Sequence, residues 1–225
     1  MGNVGCKIIR DFKRPNKKVV ELFRDLPVAN IDDCMNRIAA VDPMIKPFNK
    51  VKLLGVAFTV KVPEGDNLMF HKAMDMAQPG DVVMIDAGGD TSRSIFGELM
   101  ITYCKKRNLA GVVVDGSVRD ADAFAELDFP IYAKGITPNG PYKNGPGEIN
   151  TPVSIGGKIV CPGDIIVGDG DGIVIIKPED AEFIASQTKK VSEKEHRIIE
   201  TMLNEGTYIR PWVDEKLKEI GCEII

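Results

Sequence analysis

Two stretches, residues 82–85 (Val-Val-Met-Ile) and 112–114 (Val-Val-Val), contain no polar residue, and each is closed by an aspartate, Asp86 and Asp115. A strand with one face in water alternates; runs this short and this uniformly apolar read as strands covered on both faces. Residues 95–107 between them read as a helix. Strand, helix, strand is the crossover that sets neighbouring strands parallel and returns their carboxyl ends to one edge. A third short strand at 131–133 follows a short helix at 120–126. The chain is therefore expected to be α/β.

The flanks add to this frame. The first fifty residues read as helical, with an apolar cluster at Val19, Val20, Leu22 and Phe23, until Pro43 and Pro47 intervene. Residues 51–62 form a long strand in which Gly55 marks a bulge or a close backbone approach. Asp66 or Asn67 can cap a helix running to Ala77. Residues 137–152 hold four prolines and three glycines and read as an irregular surface loop. Beyond it come a hairpin turning at Gly156-Gly157, a second hairpin turning at residues 169–172, and a long helix from Pro178 to about Asn204. A tail with Pro211 and Trp212 closes the sequence. The expectation is one domain over residues 1–225, with its core at about 25–205 and helical segments at either end.

Composition removes several function classes. With 44% hydrophobic and 28% charged residues in 225, the chain has material for a sizeable core. A net charge of −4 leaves no overall footprint for a phosphate backbone, so direct nucleic-acid binding is not expected. The five cysteines show no CxxC spacing and read as reduced thiols of a cytoplasmic protein. Two histidines cannot make a three-histidine zinc site. No leader and no membrane span is recognised. The opening Met-Gly-Asn-Val-Gly-Cys nearly fits an acylation pattern but has Cys6 where serine or threonine belongs. Gly88-Gly89 lacks the remaining glycines of a nucleotide loop, and Asp169 and Asp171 lack the further ligands of a calcium loop.

The residues able to do chemistry gather between Gly88 and Asp120. Glu98 lies early in the predicted helix, and Arg119-Asp120 follow the 111–115 strand after twenty intervening residues, one helix plus one strand. Both positions thus come to the carboxyl edge of the sheet, where open α/β sheets bind ligands. An Arg-Asp pair there can hold an anionic substrate by its guanidinium and a hard cation by its carboxylate. The spacing alone equally allows a surface arginine and a helix-capping aspartate. His71, among Leu68, Met69, Ala73 and Met74, reads as a structural or partly exposed histidine.

The stretch from Gly97-Glu-Leu-Met through Gly111-Val-Val-Val-Asp-Gly-Ser-Val-Arg-Asp120 resembles the RraA-like family. Asp66-Asn67, Pro79-Gly-Asp81, Phe129-Pro-Ile-Tyr-Ala133, Val160-Cys-Pro-Gly-Asp164 and Asp171-Gly-Ile-Val174 are similar to it as well. That family contains 4-hydroxy-4-methyl-2-oxoglutarate aldolases, oxaloacetate decarboxylases and protein regulators of ribonuclease E. The resemblance implies a swivelling β/β/α domain assembled as a homotrimer or homohexamer. It implies a class II pyruvate aldolase and oxaloacetate decarboxylase that cleaves a small 2-oxo acid. By the same resemblance Asp120 would ligate Mg²⁺ or Mn²⁺ and Arg119 would bind the substrate's carboxylate or keto oxygen. The backbone amides of Leu99 and Met100 would cradle the substrate, and Glu195 would reach the metal waters of a neighbouring subunit. Glu98 stands where the aldolases commonly carry aspartate. Whether it serves as the acid/base group or supports the metal's waters stays open, as do the physiological substrate and the role of loop 137–150. The alternative is a non-catalytic regulator that binds a ribonuclease or another protein.

Overall fold

Alternate side chains of the apolar runs enter different cores: Val83 and Ile85 pack on one side of the sheet, Val82 and Met84 on the other. The computed structural model describes residues 3–225, so Met1 and Gly2, the start of the near-match to an acylation pattern, lie outside the described residues. In chain order the elements begin with β1 (Cys6–Ile8), α1 (Lys17–Glu21), α2 (Val28–Cys34), β2 (Lys46–Pro47), β3 (Leu53–Lys61) and α3 (Leu68–Met76). Next are β4 (Asp81–Asp86), α4 (Glu98–Lys106), β5 (Gly111–Val118), α5 (Ala121–Glu126), β6 (Ile131–Ile136) and β7 (Gly147–Ile149). The last are β8 (Val153–Ile155), β9 (Lys158–Val160), β10 (Ile165–Asp169), β11 (Gly172–Ile176), α6 (Ala181–Glu205) and α7 (Pro211–Glu219).

The α/β class holds. A nine-stranded mixed sheet runs β1-β7-β3-β4-β5-β6-β2, with the β10–β11 hairpin joined to the first half of β3. β3, β4, β5 and β6 are mutually parallel, in register Val56 to Asp81, Val82 to Gly111 and Val112 to Ile131. Their carboxyl ends therefore share one edge. α3, α4 and α5 cover one face through Phe70, Ile101 and Phe124; the β8–β9 hairpin covers the other through Val153, Ile155 and Val160. α1, α2 and the first turns of α6 close over β10 and β11, with Phe23, Ile31 and Ile184 at the centre. Gly55 marks a close backbone approach: a Cβ there would lie 2.5 Å from the Gly80 carbonyl oxygen.

Two expectations need correction. The early segment is not all helix, because β1 and β2 pair with β7 and β6 at opposite ends of the sheet. The loop after β6 contains a strand, β7, whose buried Ile149 pairs with Val60. Its three-residue length and flanking prolines hide it from any periodicity. The tail is helical, Pro211 serving as the first residue of α7, the position where a missing N–H costs nothing. The chain divides after Thr188 into two units. The second, residues 189–225, holds the exposed remainder of α6, ended by Gly206 at φ 68°, and α7. Among the described residues no helix is long and apolar enough to cross a membrane.

One ion pair is structural. Asp81, 1% exposed, takes both forks of Arg14 at 2.9 and 2.7 Å and the Gln78 N–H at 2.8 Å. Arg14→Met would strand that carboxylate in the interior and is expected to cost about 3 kcal/mol, the lower end for breaking a buried pair. Urea unfolding measures it; a loss below about 1 kcal/mol, the ceiling for exposed pairs, would mean that water replaces the guanidinium.

Candidate active site at the edge of β5

β5 outruns its apolar stretch by four residues to Val118, and the chain before α4 is laid against that extension. Ile95 N donates to Ser117 O at 2.8 Å and Arg119 N to Phe96 O at 3.0 Å. These two bonds bring the start of α4 beside Arg119-Asp120. Asp120 adopts the left-handed conformation, φ 61°, ψ 38°, which aspartate tolerates better than most residues. It occupies the cap position of α5 without capping it. Its Oδ2 instead accepts from Glu98 N at 2.9 Å, satisfying the first N–H of α4, whose own cap Gly97 has no side chain to offer. The negative charge suits the positive end of that helix.

Gly97 makes this arrangement possible. Its backbone is extended (φ −144°, ψ −166°), so any residue could adopt it, yet a Cβ would overlap Asp120 Oδ2 and lie 3.0 Å from Arg119 Cγ. Arg119 Nε stands 3.9 Å from Asp120 Oδ2, with 46% and 44% of the side chains exposed. So long and solvated a pair contributes little to stability, and both groups face outward for a ligand. Leu99 N and Met100 N, in the first turn of α4, have no acceptor among the described residues. Unsatisfied amides at a helix start form an anion site.

These groups border a cleft of about 210 Å³ lined by Asn67, His71, Ile95, Phe96, Gly97, Leu99, Met100, Arg119, Asp120, Pro141 and Lys143. Pockets for drug-sized ligands run to roughly 300–1,000 Å³, so this one suits a small acid. A larger groove of about 570 Å³ lies within the second unit, lined by Lys190, Lys194 and Arg197 and by no carboxylate among its lining residues. The chemistry favours the smaller cleft.

Four of the residues singled out in the sequence, Leu99, Met100, Arg119 and Asp120, line the cleft. Glu98 contributes its backbone N–H, while its side chain is exposed and outside the lining. Glu195 is an exposed residue of α6 in the second unit. Asn67, His71 and Lys143 were missed as site residues. Asn67 was read as a cap; His71 lies four residues on, one helical turn away, and that spacing was the available signal. Burial, and then the nearby Lys143, push the His71 imidazole below its ordinary pKa, against the pull of Asp75.

A hard cation fits Asp120. Oδ2 is anchored on Glu98 N and Oδ1 has no hydrogen-bond partner among the described residues, which leaves one carboxylate oxygen for a ligand. Among the described residues no group of three or more His, Cys, Asp or Glu side chains could enclose a metal. A single carboxylate completed by water and substrate oxygens is the donor set Mg²⁺ or Mn²⁺ accepts.

A family model described as RraA-like, Aldolase/RraA, matches residues 28–175. A protein of Halalkalibacterium halodurans, provisionally named as a 4-hydroxy-4-methyl-2-oxoglutarate aldolase, is 43% identical over 169 residues, 75% of this chain and 80% of that one. The solved RNA-processing inhibitor RraA of Thermus thermophilis superposes with a TM-score of 0.63 at 26% identity, over 68% of this chain and 93% of that one. An uncharacterised protein of Pseudomonas syringae shares the fold, with a TM-score of 0.76 at 23% identity over 88% of this chain and 98% of that one.

Proposed function

The chain belongs to the RraA-like family, and we propose that within it this protein is a divalent-metal-dependent lyase that splits a small 2-oxo acid to release pyruvate. The observation that carries the reading is the convergence at one cleft of Arg119, the half-exposed Asp120 carboxylate and two unsatisfied amides, Leu99 N and Met100 N. Mg²⁺ or Mn²⁺ held by Asp120 would supply a Lewis acid for the 2-oxo group. The amides of Leu99 and Met100 hold the substrate carboxylate at the start of α4. Arg119 sets a fixed planar cation where negative charge develops on the keto oxygen as the C3–C4 bond breaks. For aldol cleavage, Glu98 orients a water that takes the C4 hydroxyl proton. Oxaloacetate decarboxylation forms the same pyruvate enolate without that transfer, so one site supports both reactions.

The reading includes assembly. Leu99, 86% exposed at the cleft, is a side chain that a neighbouring copy would cover, and Glu195 of such a copy would face the metal's waters in a homotrimer or homohexamer. A second reading, a non-catalytic regulator of a ribonuclease, is favoured by the likeness to the Thermus RNA-processing inhibitor. Pyruvate release decides between them. Protein treated with EDTA is expected to lose activity toward oxaloacetate and 4-hydroxy-2-oxo acids and to regain it with Mg²⁺ or Mn²⁺. Full activity after chelation would remove the metal from the mechanism, and no pyruvate under any metal would favour the regulator.

A further inference from the structure

The second unit, residues 189–225, holds a cavity that the lyase reading leaves unused. Its groove of about 570 Å³ falls within the roughly 300–1,000 Å³ of ligand pockets. One wall is α6, which presents Lys190, Lys194 and Arg197 four and three residues apart, on a single helix face. The other is the segment between α6 and α7, which contributes Tyr208 and Ile209. Half-buried Ile198 adds apolar surface.

Three cations on one face repel one another, and among the described residues none of them is in an ion pair. The acid that helical spacing would offer is not used. Glu193 stands three residues after Lys190 and four before Arg197, yet what it gives Arg197 is its main-chain carbonyl, which accepts from Nε at 3.2 Å. That bond fixes the guanidinium and leaves its two terminal nitrogens for another acceptor. Across the groove, the Arg210 guanidinium lies 4.6 Å from the centre of the Tyr208 ring, which steadies that wall and sets a fourth cation next to it.

This combination narrows the ligand. A rise of ~1.5 Å per residue spreads Lys190 and Arg197 over ~10 Å of helix, a row that matches several linked anionic groups better than one. A small carboxylic acid would also leave the apolar wall unused. Linked phosphates carry enough charge to answer three cations, and Arg197 can grip two oxygens of one phosphate. A nucleobase has the flat face that an aromatic and aliphatic wall accepts.

We propose that this groove binds a nucleoside polyphosphate, its phosphates on Lys190, Lys194 and Arg197 and its base against Ile198, Tyr208 and Ile209. Such a site is built from side chains and needs no glycine-rich loop. Trp212 is the only tryptophan in the chain, is 62% exposed and lies in α7 of the same unit. Energy transfer from it to mant-ADP therefore reports binding by the full-length protein, without added metal. The transfer is expected to saturate and to be reversed by unlabelled ADP. Pyrophosphate, which offers the phosphates without the base, should need at least tenfold more than ADP. Arg197→Gln should weaken binding at least tenfold, with helix content by circular dichroism unchanged because glutamine matches arginine in helix propensity. Ile209→Asp, which sets a carboxylate in the groove outside any helix, should weaken it as much. Lys189→Gln removes the same charge from a position that does not line the groove and should change affinity less than twofold.

An absence of saturable transfer would overturn the site. Equal displacement by pyrophosphate and ADP would reduce it to an adventitious anion patch. Binding untouched by both Arg197→Gln and Ile209→Asp would seat the nucleotide elsewhere, and a loss as large in Lys189→Gln would leave net charge as the whole cause; either result overturns the proposal. None of these outcomes bears on the lyase reading, which pyruvate release decides.

Discussion

Asp120→Asn is expected to bring metal-supported pyruvate release down by more than about 100-fold, beyond the roughly 10–100-fold cost of losing a mere supporting partner at a metal site. Asparagine keeps what holds the local backbone together. It tolerates the left-handed conformation at φ 61°, and its amide oxygen can still accept from Glu98 N. The substitution therefore removes the negative charge and little else. The melting temperature should stay within about 2 °C of the parent, because an exposed position that keeps its hydrogen bond loses only tenths of a kcal/mol. Activity assays across a Mg²⁺ titration, beside a thermal melt, measure both. Retained activity at saturating Mg²⁺ would move the cation away from Asp120; a collapsed melting temperature would make the aspartate structural.

Gly97→Ala should be nearly as damaging, although it alters no group proposed to touch the substrate. The added methyl would overlap Asp120 Oδ2. The carboxylate must then leave Glu98 N, and the Arg119 stem, 3.0 Å from the new atom, must shift as well. Displacements near 1 Å typically cost about 10²-fold in rate, and that is the expected loss in kcat/KM. The displaced groups are half-exposed and flexible, so the stability cost should lie at the low end of the roughly 1–3 kcal/mol for overpacking. A raised half-saturation for Mg²⁺ would accompany the loss. Unchanged kinetics would mean that the tie between Asp120 and α4 is not needed for turnover.

The legible part of this molecule is the part governed by burial on two faces. The runs at 82–85 and 112–114 carry no competing polar signal, so β4, β5 and the crossover through α4 follow from the residues alone. The pair Arg119-Asp120 could be placed at the carboxyl edge for the same reason. What could not be read depends on partners distant in sequence. β7 is three residues long and exists because Val60 and β1 flank it. Asp120 looked able to cap its own helix, yet it serves α4, twenty-two residues earlier; no local pattern encodes that choice. His71 looked like part of an apolar helix face because its neighbours Ala73 and Met74 are core residues. Only the fold reveals that its ring nitrogen meets a cleft, and that a lysine 72 residues further on stands near it.

The way Asp66 is used bears on how such a protein could change its diet. Among the described residues its two oxygens bind only main-chain N–H groups: Leu68 on one side, Asn144 and Gly145 on the other. The clasp that holds the loop is thus indifferent to the side chains beside it. A descendant could exchange Lys143 for a neutral, acidic or bulky residue while the loop stayed seated, and the cleft would then be lined by a different side chain. Arg119 and Asp120, set by β5 and α4, would be undisturbed. The two walls of the cleft are thereby mounted on separate supports, and selection can retune one without rebuilding the other.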